Sequence, residues 1–110
     1  MTTNIKHGFS DQYHIAAFYS FSYLSDETIS LLFNQVSVFA EKKQIKGIVL
    51  FASEGINGTV CGKKEGVNSL LAILKEPLKD KDVDIKYSCS SRQAFRRFKA
   101  RKKEEIVTMG

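Results

Sequence analysis

From Tyr13 to Phe21 the apolar residues fall on both sides of a two-residue repeat. Tyr13, Ile15, Ala17, Tyr19 and Phe21 share one side; His14, Ala16, Phe18 and Ser20 share the other. A period of two is that of a strand, and apolar side chains on both faces suit a strand inside a sheet. The rhythm then lengthens. Ile29, Leu32, Phe33, Val36 and Ala40 recur at helical spacing. Ser25 can cap the free N–H groups before them, Asp26 and Glu27 complement the positive helix end, and Lys42 and Lys43 suit the negative one. The pattern predicts a helix over 26–43. Gly47 to Ala52 is a compact β-rich run. Asn57-Gly58 favours positive φ and predicts a tight turn, with Thr59-Val60-Cys61 as the returning strand and Gly62 ending it. Val67, Leu70, Leu71 and Leu74 mark a second helix over about 64–76, stopped by Pro77. After the charged loop from Lys79 to Asp82, Val83, Ile85 and Tyr87 alternate again over 83–88.

The order is β-α-β-β-α-β. It predicts an α+β fold of the ferredoxin-like (acylphosphatase-like) class: an antiparallel sheet in order 4-1-3-2 with two helices on one face. The chain divides into a flexible N-terminal tail over 1–12, a ferredoxin-like domain over 13–90, and a basic segment over 91–110. No apolar run approaches the roughly 18 residues of a membrane helix. The polar N-terminus lacks a secretory stretch, and two cysteines make no disulfide scaffold. Cytoplasmic residence is therefore expected.

Charge changes the picture more than composition does. The formal net charge is +5, yet residues 1–85 are close to neutral. Lys86, Arg92, Arg96, Arg97, Lys99, Arg101, Lys102 and Lys103 follow one another with no acid between them. Such a block attracts phosphate through charge and counterion release, although a charge run is more often a solvated surface. The embedded Phe95 and Phe98 can stack on bases, but more commonly anchor a segment to a core.

Catalytic chemistry is harder to find. Cys61 and Cys89 fall on strands separated by the first strand. Two strand spacings are about 9–10 Å, beyond the roughly 7 Å Cα limit of a disulfide. No CxxC or Cys/His cluster suggests a metal. Cys89 remains a less favoured candidate for a reactive thiol, and neither His7 nor His14 has an evident nucleophilic partner. The run Ser20-Phe21-Ser22-Tyr23-Leu24 has neither glycine nor arginine, which excludes an acylphosphatase phosphate loop. The third strand carries no aromatic residue, so base reading by a standard RNA-recognition sheet face is disfavoured. Phe18, Tyr19 and Phe51 are expected in the core or in interdomain packing. Glu54 beside the Asn57-Gly58 pair has no turn duty of its own and is a candidate, with Asn57, for facing a nucleotide or another domain.

Several motifs together resemble one family. They are Phe18-Tyr19, the run Phe51-Ala52-Ser53-Glu54-Gly55-Ile56-Asn57-Gly58-Thr59-Val60, the stretches Ser91-Arg92-Gln93-Ala94-Phe95 and Arg97-Phe98-Lys99, and the closing Lys103-Glu104-Glu105-Ile106-Val107-Thr108-Met109-Gly110. From about Tyr13 onward the chain resembles the N-terminal domain of the rhodanese-related tRNA uridine hydroxylases, formerly grouped with the sulfurtransferases. Ala94 and Arg96 depart from the prolines common in that pattern.

The resemblance implies an enzyme that forms 5-hydroxyuridine at the tRNA wobble position in an oxygen-dependent reaction. Its essential cysteine lies in a following rhodanese-like domain, so this chain alone is expected to be non-catalytic. Its partners would be tRNA and its own C-terminal rhodanese-like domain, with no membrane and no DNA specificity. It would hold no cofactor of its own and no metal, and the cofactor of the whole enzyme is left open. The expected RNA-binding set is Arg92, Arg96, Arg97, Lys99, Arg101, Lys102 and Lys103; Glu54 and Asn57 face the nucleotide or the second domain. The alternative is a scaffold of a rhodanese-like sulfurtransferase that orients its partner domain without touching RNA.

Overall fold

A computed structural model describes residues 12–78 and 83–103 of the chain. Residues 1–11 of the expected tail, the charged loop over 79–82, and residues 104–110 of the closing motif lie outside the described residues. Strand β1, Tyr13–Phe21, leads into helix α1, Asp26–Lys43, then β2, Lys46–Ala52, and β3, Gly55–Gly62. Helix α2, Lys64–Lys75, β4, Asp84–Ser90, and β5, Phe98–Lys102, complete the order. The strands form one sheet ordered β4-β1-β3-β2-β5. The first four carry the 4-1-3-2 order read from the sequence. All their pairings are antiparallel, whereas β5 runs parallel to β2.

Helix α1 begins where its chemistry dictates. The Ser25 side chain accepts from the Thr28 N–H at 3.2 Å. It ends at Gln44, the one non-glycine residue at positive φ (58°) among those described, whose N–H returns to Ala40 and Glu41 carbonyls. Its buried stripe of Ile29, Leu32, Val36 and Ala40 meets Val67, Leu70, Leu71 and Leu74 of α2. Both stripes press on Ala16, Phe18, Val49, Phe51, Ile56 and Val60 of the sheet. Thus Phe18 and Phe51 belong to the core, as expected.

The hairpin between β2 and β3 corrects one expectation. Ala52 pairs with Gly55, so the two-residue turn is Ser53-Glu54. Asn57 and Gly58 lie inside β3, paired with Leu50 and Val49. The positive φ that the turn requires falls on Gly55 (147°). Gly58 is small for a different reason. A Cβ there would stand 2.3 Å from the Ile48 carbonyl oxygen and 3.0 Å from the Phe18 ring. The residue lets the β2 backbone, and then the Phe18 ring, come close to β3 rather than bending the chain.

Beyond residue 90 the chain stays in the sheet. The basic segment is in part a strand. Gly47 donates to the Arg97 carbonyl at 2.9 Å and Lys103 donates to Phe51 at 2.7 Å, which ties β5 along the β2 edge. Phe98 and Ala100 pack against the core, which is why the sheet continues past β4.

Because Gly58 is a packing position, Gly58→Ala should destabilise the chain by about 1–3 kcal/mol, the usual range for overpacking. Urea denaturation should show a lower midpoint with an unchanged slope. An unchanged midpoint would mean that the strand has slack the structure does not show.

Candidate nucleic-acid interface

Both helices lie on one side of the sheet, so its other face is open. Strand register lays that face out in rows. One row reads Asp84, Tyr19, Asn57, Leu50, Arg101 across β4, β1, β3, β2 and β5. The next reads Lys86, Ala17, Thr59, Ile48, Lys99. A third begins Ser88, Ile15, Cys61, Lys46. Small residues at the centre, Ala17 and Thr59, leave a hollow of about 780 Å³ bounded by Tyr19, Phe21, Ile48, Asn57, Asp84 and Lys86.

The connection from β4 to β5 closes one end of this face. These strands are opposite edges of the sheet, so the chain crosses four strand spacings, about 19 Å. The path runs from Ser90 to Phe98. Fully extended, it reaches about 26–29 Å, enough for the crossing with about 7–10 Å over. It is pinned halfway. The Gln93 side-chain amide donates to the Cys61 carbonyl at 3.1 Å, and the Ala94 N–H approaches Cys61 Sγ at 3.5 Å. Gln93 Oε1 also accepts from the Phe95 N–H at 3.3 Å. Cys61 is fully buried under this strap although it belongs to the open face.

The strap divides the expected RNA-binding set. Arg92, Arg96 and Arg97 are exposed on the strap. Lys99 and Arg101 are exposed and share the open face with Ile48 and Leu50. Lys102 belongs to the helix side: its Nζ reaches Ser30 Oγ at 3.2 Å and sits 5.1 Å from the Phe33 ring centre on α1. Lys103 follows, exposed, with its backbone N–H tied to Phe51. With Lys86 on β4, cationic residues border the open face on three sides. Phe95 is half-buried in the strap, and Phe98 anchors β5 to the core.

Glu54 and Asn57 separate. Asn57 lies within the hollow, beside Tyr19 in register. The Glu54 side chain is exposed at the hairpin turn, and its carbonyl accepts from Ser22 at 2.8 Å. Leu24 N–H likewise donates to Ser53 at 2.9 Å. The loop after β1 therefore spends backbone donors on the hairpin, where a phosphate-cradling loop would aim them at a ligand.

Tyr19 is not a core residue. It is 47% exposed, Phe21 is 67% exposed, and their rings meet edge to face with centres 5.7 Å apart. The period-two pattern had already put both on one side of β1, but only the placement of the helices reveals that this side is open. Asp84, opposite Tyr19 in register, accepts its phenolic hydrogen bond, and its charge opposes ionisation; burial adds a smaller push. All three raise the Tyr19 pKa above its ordinary value of 10.0.

The cysteines stand apart, as the strand order required. Cys61 is buried on the open-face side, and Cys89 is exposed on β4. One contact escaped the sequence: Cys89 Sγ lies 3.8 Å from His14 Nδ1, the two being register partners across β1 and β4. Among the described residues no three His, Cys, Asp or Glu side chains gather as a metal site. No described helix is long and apolar enough to cross a membrane.

The Asp84 contact has a measurable signature. Folding favours the neutral phenol, so this stabilising contribution is present below about pH 10 and disappears as pH rises through the folded-state pKa. Absorbance or NMR titration should find Tyr19 ionising above the ordinary tyrosine value. Asp84→Asn should bring it back down, and an unmoved titration would refute the contact.

The fold has clear relatives. BlrB, a BLUF protein in its dark state, superposes with a TM-score of 0.71 at 16% identity over 87% of this chain and 75% of that one. An acylphosphatase from Coxiella burnetii gives 0.53 at 19% identity over 82% and 93%. Closer in sequence is a protein of Prochlorococcus marinus (strain NATL2A) named tRNA uridine(34) hydroxylase. It is 48% identical over 99 residues, which are 90% of this chain and 31% of that protein. A protein of the same name from strain MIT 9313 is 44% identical over 101 residues, 92% of this chain and 33% of that protein. The chain thus spans about a third of the length of these relatives. The model of the UPF0176 acylphosphatase like domain matches residues 13–106, and the chain belongs to that family.

Proposed function

We propose that this chain is the N-terminal tRNA-binding and substrate-positioning domain of an enzyme that forms 5-hydroxyuridine at the wobble position of tRNA in an oxygen-dependent reaction. The observation that carries the proposal is the cationic border around an open sheet face. Its phosphate contacts are Arg92, Arg96 and Arg97 on the strap and Lys99 and Arg101 on β5. The name of the relatives, tRNA uridine(34) hydroxylase, supplies the substrate. A guanidinium fork can meet two phosphate oxygens, which suits the arginines to fixing a backbone. Lys102 contributes little, because its ammonium group is engaged with α1. The reacting centre lies in the remainder of the longer protein, in a rhodanese-like domain. This part holds the polyanion in register for it.

A scaffold role without RNA contact is the second reading. Its support is an apolar patch on the outer side of the helices, where Leu31 and Val38 are 58% and 67% exposed. Packing of another domain there leaves the open face free.

Binding of unmodified tRNA across a salt series separates the two. Specific positioning predicts an affinity above the non-specific range of about 10⁻⁴–10⁻⁶ M and weakening with salt. Changing Arg92, Arg96, Arg97, Lys99 and Arg101 to Ala should flatten the log–log salt slope by about 0.7–0.9 for each phosphate left without its cation. Lys102→Ala should leave it nearly unchanged. Absence of binding at physiological salt would favour the scaffold.

A further inference from the structure

We infer that the open face takes an unpaired stretch of RNA, with bases stacked on Tyr19 and Phe21 and flanking phosphates on the cationic border. The inference rests on the tRNA-contact reading and specifies which form of RNA the surface accepts.

Three features of the face point to an unpaired strand. The first is the aromatic pair. Two large rings stand two residues apart on one strand, both substantially exposed, in an edge-to-face arrangement. That geometry leaves ring faces free to stack, and a base gains from any such face regardless of its identity.

The second feature is the hollow. Ala17 and Thr59 give it depth beside Tyr19, while Asn57 brings an amide that both donates and accepts within the same row. A base turned out of its stack can enter such a space and present its edge. In a duplex the bases remain stacked, and the reachable minor groove is wide and shallow.

The third is charge. Lys86 and Lys99 end the row through Ala17, and Arg101 ends the row through Tyr19. The strap arginines close a third side, and Asp84, the register partner of Tyr19, is the acid among these bordering residues. A border of this sign suits a polyanion better than a protein surface of mixed charge.

The test compares a labelled oligouridine with an RNA duplex of equal phosphate number, both titrated with this chain at one ionic strength. The proposal predicts tighter binding of the oligouridine. Tyr19→Ala with Phe21→Ala should weaken that binding at least about tenfold, since stacking contributes on the order of 1–3 kcal/mol per base. The salt slope and the duplex affinity should stay unchanged. The exchange Tyr19→Phe with Phe21→Tyr preserves two ring faces and should retain affinity within about twofold, which separates stacking from damage to the fold; circular dichroism checks that all variants are folded.

Preference for the duplex would overturn the inference, as would alanine variants that bind oligouridine like the parent chain. If tRNA binding still responds to the arginine changes, only the inference falls. If tRNA is not bound at all, the broader reading falls with it.

Discussion

The crossing from β4 to β5 is the constraint on which the proposed RNA surface depends. A short segment must join opposite edges of a five-stranded sheet. It is too short to wander far from a direct crossing, and it is fastened at Cys61 by Gln93 and Ala94. This one path has three consequences. It adds β5, whose parallel pairing protects the β2 edge. It places three arginines across one end of the face without helices. By covering only that end, it leaves the Tyr19 end open.

The two faces of the sheet divide the work of the molecule. On the helix side, Phe18, Val49, Phe51 and Val60 meet the stripes of α1 and α2, and their burial drives folding. Gly58 serves that side too, since its missing side chain lets the β2 backbone and the Phe18 ring approach. The open side contributes less burial and carries the groups suited to recognition: aromatic rings, an amide, and cations at the border. Relatives in fold include an acylphosphatase. Here, however, the loop after β1 commits the Ser22 and Leu24 N–H groups to the hairpin. The shared scaffold therefore implies no shared phosphate site.

Local patterns carried much of this fold. The limits of α1 followed from Ser25, its acidic first turn and its lysine-rich end, and the limits of β1 from a two-residue repeat with apolar residues on both faces. The 4-1-3-2 order followed from the succession of elements. What remained illegible was set by pairing across the chain. Asn57-Gly58 has turn chemistry, but the register of β2 with β3 closes the hairpin earlier and uses Gly58 for packing. The basic run has the composition of a solvated segment, yet Phe98 and Ala100 draw it into the sheet and send Lys102 to the helix side. The His14–Cys89 contact exists only once β1 and β4 are aligned. Likewise the aromatic side of β1 becomes a surface only because both helices pack on the opposite face.

Amide chemical-shift mapping of the isotopically labelled chain with unmodified tRNA tests the central claim most directly. The open face with its strap should respond: Ala17 to Phe21 on β1, Asn57 to Thr59 on β3, residues 91–97, and β5. The outer surfaces of α1 and α2 should remain still. Perturbations centred on Leu31 and Val38, with the sheet face silent, would contradict the account.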